Sequence, residues 1–390
     1  MKLLLVNYEF PPVGGGAGRV MESLAREFAK KNEVTVFTSW YKGERRFEDK
    51  DGFEIRRINV FRKRKDCCGF FGMFLFLALS IFPLIKLVKK NRPDVIVCHF
   101  AAPVGPLGYV LYKLFKIPYV IHTHGGDIPG FIPEQTGVVF SYIKWLMKPI
   151  WDNAKIVINN SWGAENLARE SFPNAKLTHI RNGIDLKDFQ KIKSIYHRNN
   201  NIDDKLRLIT IGRIAVQKGL KYLIDALKDL KNRGNYNIEC IIIGDGELRQ
   251  ELDRQIENAG LQGIVEITGW LNHDEVIRRL LDSDIYVSPS INEGMSLALL
   301  EAMACDLPVV VTDVIGNNEV VEDGLTGFLV QARDSVAMAT ALQKLIENYD
   351  LQNKFIDNIR KSIENYSWEI IAKEHLVLYE NIILRSNNKD

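Results

Sequence analysis

The sequence predicts an α/β fold made of two Rossmann-like domains, each on a mainly parallel sheet. Three observations predict it. Short aliphatic runs alternate with longer amphipathic ones, as in parallel strands covered on both faces by helices. This alternation occurs twice, on either side of a polar stretch. The chain has 390 residues, long for one hydrophobic core.

In the first half the strand-like runs are 2–6, 34–39, 95–100, 118–124 and 155–160. They are nearly continuous in Val, Ile, Leu and Phe. Helical spacing falls between them at 18–31, 105–115, 137–153 and 161–171. The second half repeats the scheme with strands at 206–212, 238–243, 264–268, 285–289 and 308–312. Its helices fall at 219–232, 246–259, 273–282 and 296–304. Residues 188–204 are rich in Lys, Asn and Asp and read as a linker. The expected domains are therefore 1–187 and 205–365. A last helix within 366–390 is expected to cross back to the first domain.

A composition of 46% hydrophobic and 26% charged residues excludes disorder and disulfide scaffolds. A net charge of +2 gives nucleic-acid binding no support. The five cysteines lack framework spacing, which points to a reducing compartment. Met1–Val6 is too short for a signal-peptide core, because Asn7, Tyr8 and Glu9 interrupt it.

Five constellations carry chemistry. Gly14, Gly15, Gly16 and Gly18 follow the first strand and open a helix. Their amides suit an anion or a close substrate. They do not spell G-x-G-x-x-G, and no acidic residue ends the second strand, so a nicotinamide site is disfavoured. His122-Thr123-His124-Gly125-Gly126-Asp127 stands at a strand's carboxyl end, where open α/β sheets bind ligands. His122 and His124 show no third ligand nearby in sequence, so no metal is expected.

Arg213 and Lys218 lie in the loop after the first strand of the second half. A planar fork and a point charge suit a diphosphate. Gly244-Asp245-Gly246 is a weaker glycine loop. Finally, Glu293 and Glu301 are eight residues apart. On one helix they would be about 80° out of register and about 12 Å apart in rise. Gly294 makes Glu293 a loop residue, with the helix starting near Ser296. The amides of Gly294, Met295, Ser296 and Leu297 form an anion site. Glu301 in the second turn is placed to hold a diol.

With these motifs in this order, the chain resembles the retaining glycosyltransferases of family 4, which have the GT-B fold. Glu293 to Glu301 matches their E-x7-E element, and Arg213 with Lys218 their donor-diphosphate pair. Gly14, Gly15 and Gly16 match the N-domain glycine loop, and His124 with Gly125 the histidine loop. Asn182 to Asp185 and Glu319 to Gly327 match two further segments. The resemblance implies two sheets facing a central cleft. It also implies a UDP- or GDP-sugar donor, a saccharide or lipid-linked acceptor, retention of configuration and no metal ion. Arg213 and Lys218 would neutralise the leaving diphosphate. Glu301 would hold the ribose, and Glu293 with amides 294–297 the sugar. Gly244, Trp270 and Leu271 would lie near the base, Gly15 and Gly16 beside the donor, and His124 on the transferred sugar. Two departures stand out: Met295 and Ser296 replace a common Phe and Gly, and 316–319 reads Gly-Asn-Asn-Glu.

The stretch 67–85 is uncharged for 19 residues. Cations flank it at Arg62, Lys63, Arg64 and Lys65, and at Lys86, Lys89 and Lys90. A bilayer span would separate strands of one sheet, so 62–90 reads as a surface element drawn to anionic lipid. The other reading is a helix buried on the sheet. Cytoplasmic location, peripheral on the inner face of the membrane, is the matching expectation. Two other functions share the fold. A nucleotide-sugar epimerase would need its own acid–base carboxylates, and a non-catalytic binding protein would show no turnover.

Overall fold

The computed structural model describes residues 1–62, 68–196, 205–234 and 236–387. It divides into two compact units, Met1–Gly183 with Trp368–Asp390, and Ile184–Ser367.

The first unit runs β1 (Lys2–Val6), α1 (Gly16–Ala29), β2 (Glu33–Trp40), β3 (Phe47–Lys50), β4 (Phe53–Asn59), α2 (Gly69–Asn91) and β5 (Val95–His99). It continues α3 (Gly105–Phe115), β6 (Tyr119–His122), α4 (Pro133–Asn153), β7 (Ile156–Asn159), α5 (Trp162–Ser171) and β8 (Leu177–His179). The strand order is β3-β4-β2-β1-β5-β6-β7-β8. Among the described residues only the β3–β4 pair is antiparallel. β1 lies between β2 and β5, with Leu3 opposite both Val34 and Val95. Leu3, Leu4, Leu5 and Val6 are all buried, which is why this strand reads as one apolar run.

The second unit runs α6 (Leu186–Ile195), β9 (Leu206–Ile211), α7 (Leu220–Arg233), β10 (Ile238–Ile243), α8 (Arg249–Asn258), β11 (Val265–Gly269) and α9 (His273–Leu281). It continues β12 (Ile285–Ser288), α10 (Leu297–Ala304), β13 (Val309–Thr312), β14 (Gly327–Val330), α11 (Ser335–Ile346) and α12 (Tyr349–Ser362). The order is β11-β10-β9-β12-β13-β14, and every pair is parallel. Alternate strand residues feed two cores. Ile209, Ile241 and Ile243 join one, and Leu208, Cys240 and Ile242 the other. The chain then returns to the first unit as α13 (Trp368–Asn387), which packs on α1. There Tyr379 and His375 meet Phe28 edge-on.

The structure differs from the sequence reading in places. Residues 186–195, partly read as linker, form α6, because Phe189 is buried and joins the second unit's core with Ile184. Residues 197–204 of that linker, and Lys63, Arg64, Lys65 and Cys67, lie outside the described residues. Strands β3, β4, β8 and β14 and helices α11 and α12 are additional. Of the segment read at 67–85, the described residues 68–85 are neither wholly buried nor wholly free: Phe76, Ser80 and Leu84 of α2 are buried while its other faces are largely exposed.

Candidate active site

In the second unit, β9 pairs with β10 on one side and β12 on the other. The chain leaves β9 towards β10, so the switch in strand order lies between β9 and β12. Ligands bind at such a point, at the strands' carboxyl ends. Arg213 and Lys218 follow β9, and Gly244 follows β10. Trp270 and Leu271 follow β11, and Glu293 to Ser296 follow β12. All are on carboxyl-end loops of one sheet.

The loops after β9 and β12 clasp each other. The Ile291 amide donates to the Gln217 carbonyl at 2.8 Å, and Gln217 Nε2 donates to the Asn292 carbonyl at 3.0 Å. Gly219 has φ +60°, and a Cβ there would stand 2.2 Å from the Pro289 carbonyl oxygen. No other residue fits this approach. Across it Lys218 Nζ reaches Glu293 Oε2 at 2.5 Å, and Ser290 Oγ donates to the same oxygen at 3.2 Å. Arg213 is exposed and makes no hydrogen bond or ion pair among the described residues. The structure thus holds one cation paired and one open, a few residues apart on one loop.

The loop after β13 closes the other side. Gly316 has φ +86°, and its Cβ would fall 1.1 Å from the Gly294 carbonyl oxygen. The glycine in the unusual 316–319 sequence therefore lets this loop press on Gly294. Asn317, wholly buried, donates from Nδ2 to the Thr312 carbonyl at 3.0 Å. Thr312 Oγ1 donates to the Ser290 carbonyl at 2.6 Å.

Ser296 is the N-cap of α10, its side chain accepting from the Leu299 amide. Met295 is buried in the core. Ser296 thus acts in capping and Met295 in packing. Leu297 begins α10, and Glu301, one turn on, is 3% exposed. His273 Nδ1 lies 3.9 Å from Glu301 Oε1. It is delivered by the first turn of α9, which Asn272 and Glu275 fix through reciprocal capping bonds. On the far side, the Gly244 amide donates to the Gly269 carbonyl at 2.9 Å, tying the loops after β10 and β11. Trp270 beside it is 55% exposed, an open aromatic face.

In the first unit, Gly15 is the N-cap of α1 and Gly16 its first residue. The Gly15 amide donates to Glu9 Oε2 at 3.2 Å, so an internal carboxylate meets this helix start. His99 ends β5 and pairs in register with His122, which ends β6. His124 follows two residues later. His99 Nδ1 lies 3.1 Å from His124 Nε2, and the rings stack. The His122 ring touches those of His99, His124 and His375. The expectation of no third ligand near His122 and His124 is corrected here. His99, 23 residues earlier in sequence, brings its imidazole within 4.8 Å of both. Parallel pairing of β5 and β6 is the cause.

Burial keeps these rings neutral. It drives His99 and His124 well below the usual histidine value, helped by mutual repulsion, and His122 to about 4. Asp127 shows the opposite effect. Burial pushes its carboxyl up to about 6, against the pull of backbone amides. It accepts from the Ala101 amide at 2.6 Å and the His124 amide at 2.8 Å. Asp127 therefore positions the His124 loop against the loop after β5. Phe100 packs on His124, with ring centroids 4.8 Å apart.

Sequence reasoning missed His99, His273, Ser290 and Glu9. His99 had a signal, a histidine at a strand's carboxyl end. The other three are local partners that only folding reveals.

Residues 14–188 match the model of Glycosyltransferase Family 4, and residues 192–362 that of Glycosyl transferases group 1. The chain is 30% identical over 300 residues to the UDP-Gal:alpha-D-GlcNAc-diphosphoundecaprenol alpha-1,3-galactosyltransferase of Escherichia coli, covering 73% of this chain and 74% of that one. Among solved structures, sucrose-phosphate synthase from Thermosynechococcus elongatus superposes with TM-score 0.85 at 20% identity, covering 98% of this chain and 99% of that one. Anabaena Alr3699/HepE in complex with UDP-glucose gives TM-score 0.75 at 18% identity, with 98% and 100% covered.

Proposed function

The chain belongs to the group 1, family 4 glycosyltransferases of GT-B fold, and from that premise we propose that it moves a hexose from UDP- or GDP-sugar to a saccharide or lipid-linked acceptor, with retention of configuration. One observation carries the reading. Arg213, the Lys218–Glu293 pair and Glu301 gather around the strand-order switch between β9 and β12.

In this reading Arg213 takes the donor's phosphate oxygens, with the amides at 294–297. Lys218 moves from Glu293 to the bridging oxygen as the anomeric bond breaks, when the diphosphate gains charge. Glu293, released from Lys218, accepts from a sugar hydroxyl, and Glu301 holds the ribose diol. The base lies by Gly244, Trp270 and Leu271. The acceptor oxygen bonds to the anomeric carbon on the face the diphosphate leaves, and the acceptor's proton passes to the departing phosphate oxygen. His124, held neutral, hydrogen-bonds a substrate hydroxyl, and Gly15 and Gly16 give close backbone approach. Two cations supply the charge compensation, so no metal or other cofactor is assigned. His99 Nδ1 and His124 Nε2 face each other at hydrogen-bond distance, and that favours paired imidazoles over a metal centre. Cys98, Cys240 and Cys305 are free thiols, which fits a cytoplasmic protein.

Thermal-shift screening with UDP, GDP, ADP and their sugars tests the donor. At about a hundredfold excess over Kd, the right nucleotide raises the transition by about 5–10 °C. No shift with any of them counts against the reading.

A further inference from the structure

The helix α2 is apolar on every side over its first 17 residues, with charges only at Lys86, Lys89 and Lys90. A helix apolar all round needs apolar surroundings all round. The protein supplies them to one stripe. Only 33% of the most apolar window is buried. Phe70, Phe71, Phe74 and Phe82 are 63–80% exposed. At 100° per residue they fall within an arc of about 120°, so they form one outward ridge.

The ridge is part of a wider face. α3 packs between α2 and α4, so the three helices form one layer on the sheet. The exposed side of α4 adds Tyr142, Trp145 and Leu146, each more than half exposed. Neither α2 nor α3 contains an Asp or Glu, while both carry exposed lysines, Lys113 among them. The face therefore combines large aromatic groups with charge that is all positive on α2 and α3, while on α4 Asp152 is paired with Lys148.

We propose that this face docks in plane on an anionic lipid bilayer. The phenylalanines enter the headgroup–acyl boundary, Tyr142 and Trp145 sit at headgroup level, and the lysines meet lipid phosphates. A span is excluded, because Phe76, Ser80, Leu84 and Val88 on the opposite stripe are buried in the protein. Positive charge on the face argues for anionic lipid over a second, equally positive copy.

The face also has an address. Phe76 contacts Tyr8, Tyr8 contacts Phe100, and Phe100 contacts His124. The phenylalanine end of α2 is thus linked by three ring contacts to the His124 loop. Given the proposed transfer, the bilayer would then present a lipid-linked acceptor to that loop. The docking itself does not depend on that reading.

The test is co-sedimentation of the full chain with vesicles of phosphatidylcholine, alone and mixed with phosphatidylglycerol. Wild type is expected to sediment with the anionic vesicles and to be released by high salt. Lys86→Gln, Lys89→Gln and Lys90→Gln together lower that partitioning by at least tenfold, since each surface lysine contributes about fivefold. Phe71→Asp with Phe74→Asp and Phe82→Asp abolishes it, while the nucleotide thermal shift stays at the wild-type value. Failure of wild type to sediment overturns the docking, as does salt-insensitive sedimentation. Both are measured on the unmodified chain, so misfolding of a variant cannot hide the answer. A wild-type dimer that the Phe variants split, with no vesicle binding, would assign the face to a second copy. In each case an intact nucleotide shift leaves the transferase reading standing.

Discussion

Replacing His122 by Leu makes the protein more resistant to acid, by an amount the structure sets. Both ring nitrogens of His122 are buried without a hydrogen-bond partner among the described residues. Burial lowers its value from 6.5 to about 4. As pH falls below 6.5, the unfolded chain takes up a proton here and the folded chain does not. Stability contributed above 6.5 is therefore lost between 6.5 and about 4. Each pH unit of that gap is worth about 1.4 kcal/mol, giving about 3 kcal/mol in all. Asp127 works the other way. Its value rises from 3.8 to about 6, so the folded chain binds the proton first and gains stability as pH falls through that window. In wild type the two nearly cancel, and His99, His124 and His375, all lowered, tip the balance towards acid loss. His122→Leu removes one opposing proton and leaves Asp127 in place. Urea unfolding followed by circular dichroism from about pH 7 to about pH 4 should show the variant gaining about 3 kcal/mol on wild type. Near neutrality it should be no less stable, because two unpaired polar atoms leave the core. A difference that stays constant with pH would refute the reasoning.

Further outcomes follow from both units. Lys218→Ala should cut turnover by ~10²-fold or more, as for one lost transition-state charge contact, with a smaller change in donor affinity. Steady-state kinetics with saturating donor decide this, and wild-type kcat would sink the role. Glu301→Ala should weaken nucleotide binding by about tenfold, the worth of hydrogen bonds to a charged group, and should erase preference for ribose over a deoxyribose nucleotide. Calorimetry with both nucleotides separates that from a general loss of fold. Prolonged chelation should leave transfer and the unfolding temperature unchanged. Loss of either, restored by zinc, would turn His99, His122 and His124 into a metal site.

What the sequence reveals follows from how locally each feature is encoded. β1 and β10 appear at their observed limits, because strands buried on both faces are apolar at nearly every position, Lys2 and Glu239 being the exceptions. β4 escapes notice because it lies near the edge of its sheet, where Glu54 and Arg56 alternate with Phe53 and Ile55 and a charged Arg57 takes the next buried position. α6 reads as linker because Phe189 is its one buried residue, and its lysines mask the pattern. α11 does carry Met338, Leu342 and Leu345 at helical spacing, diluted by alanines. Site loops are legible since strand ends and glycines mark them. His99 beside His124 is not, because the register of two parallel strands is a long-range fact. The Lys218–Glu293 pair is equally hidden: 75 residues separate its members, and only the clasp between two loops joins them.

The central claim is that the carboxyl-end loops of β9 and β12 bind a sugar nucleotide through its diphosphate. Calorimetric titration of UDP and GDP into wild type and into Arg213→Ala tests it most directly. Arg213 is exposed and unpaired among the described residues, so its removal leaves the fold intact. The account predicts that one nucleotide binds wild type and that the variant binds it about 10- to 100-fold more weakly, the loss of one charge-assisted contact. Equal affinity in the two proteins would contradict it.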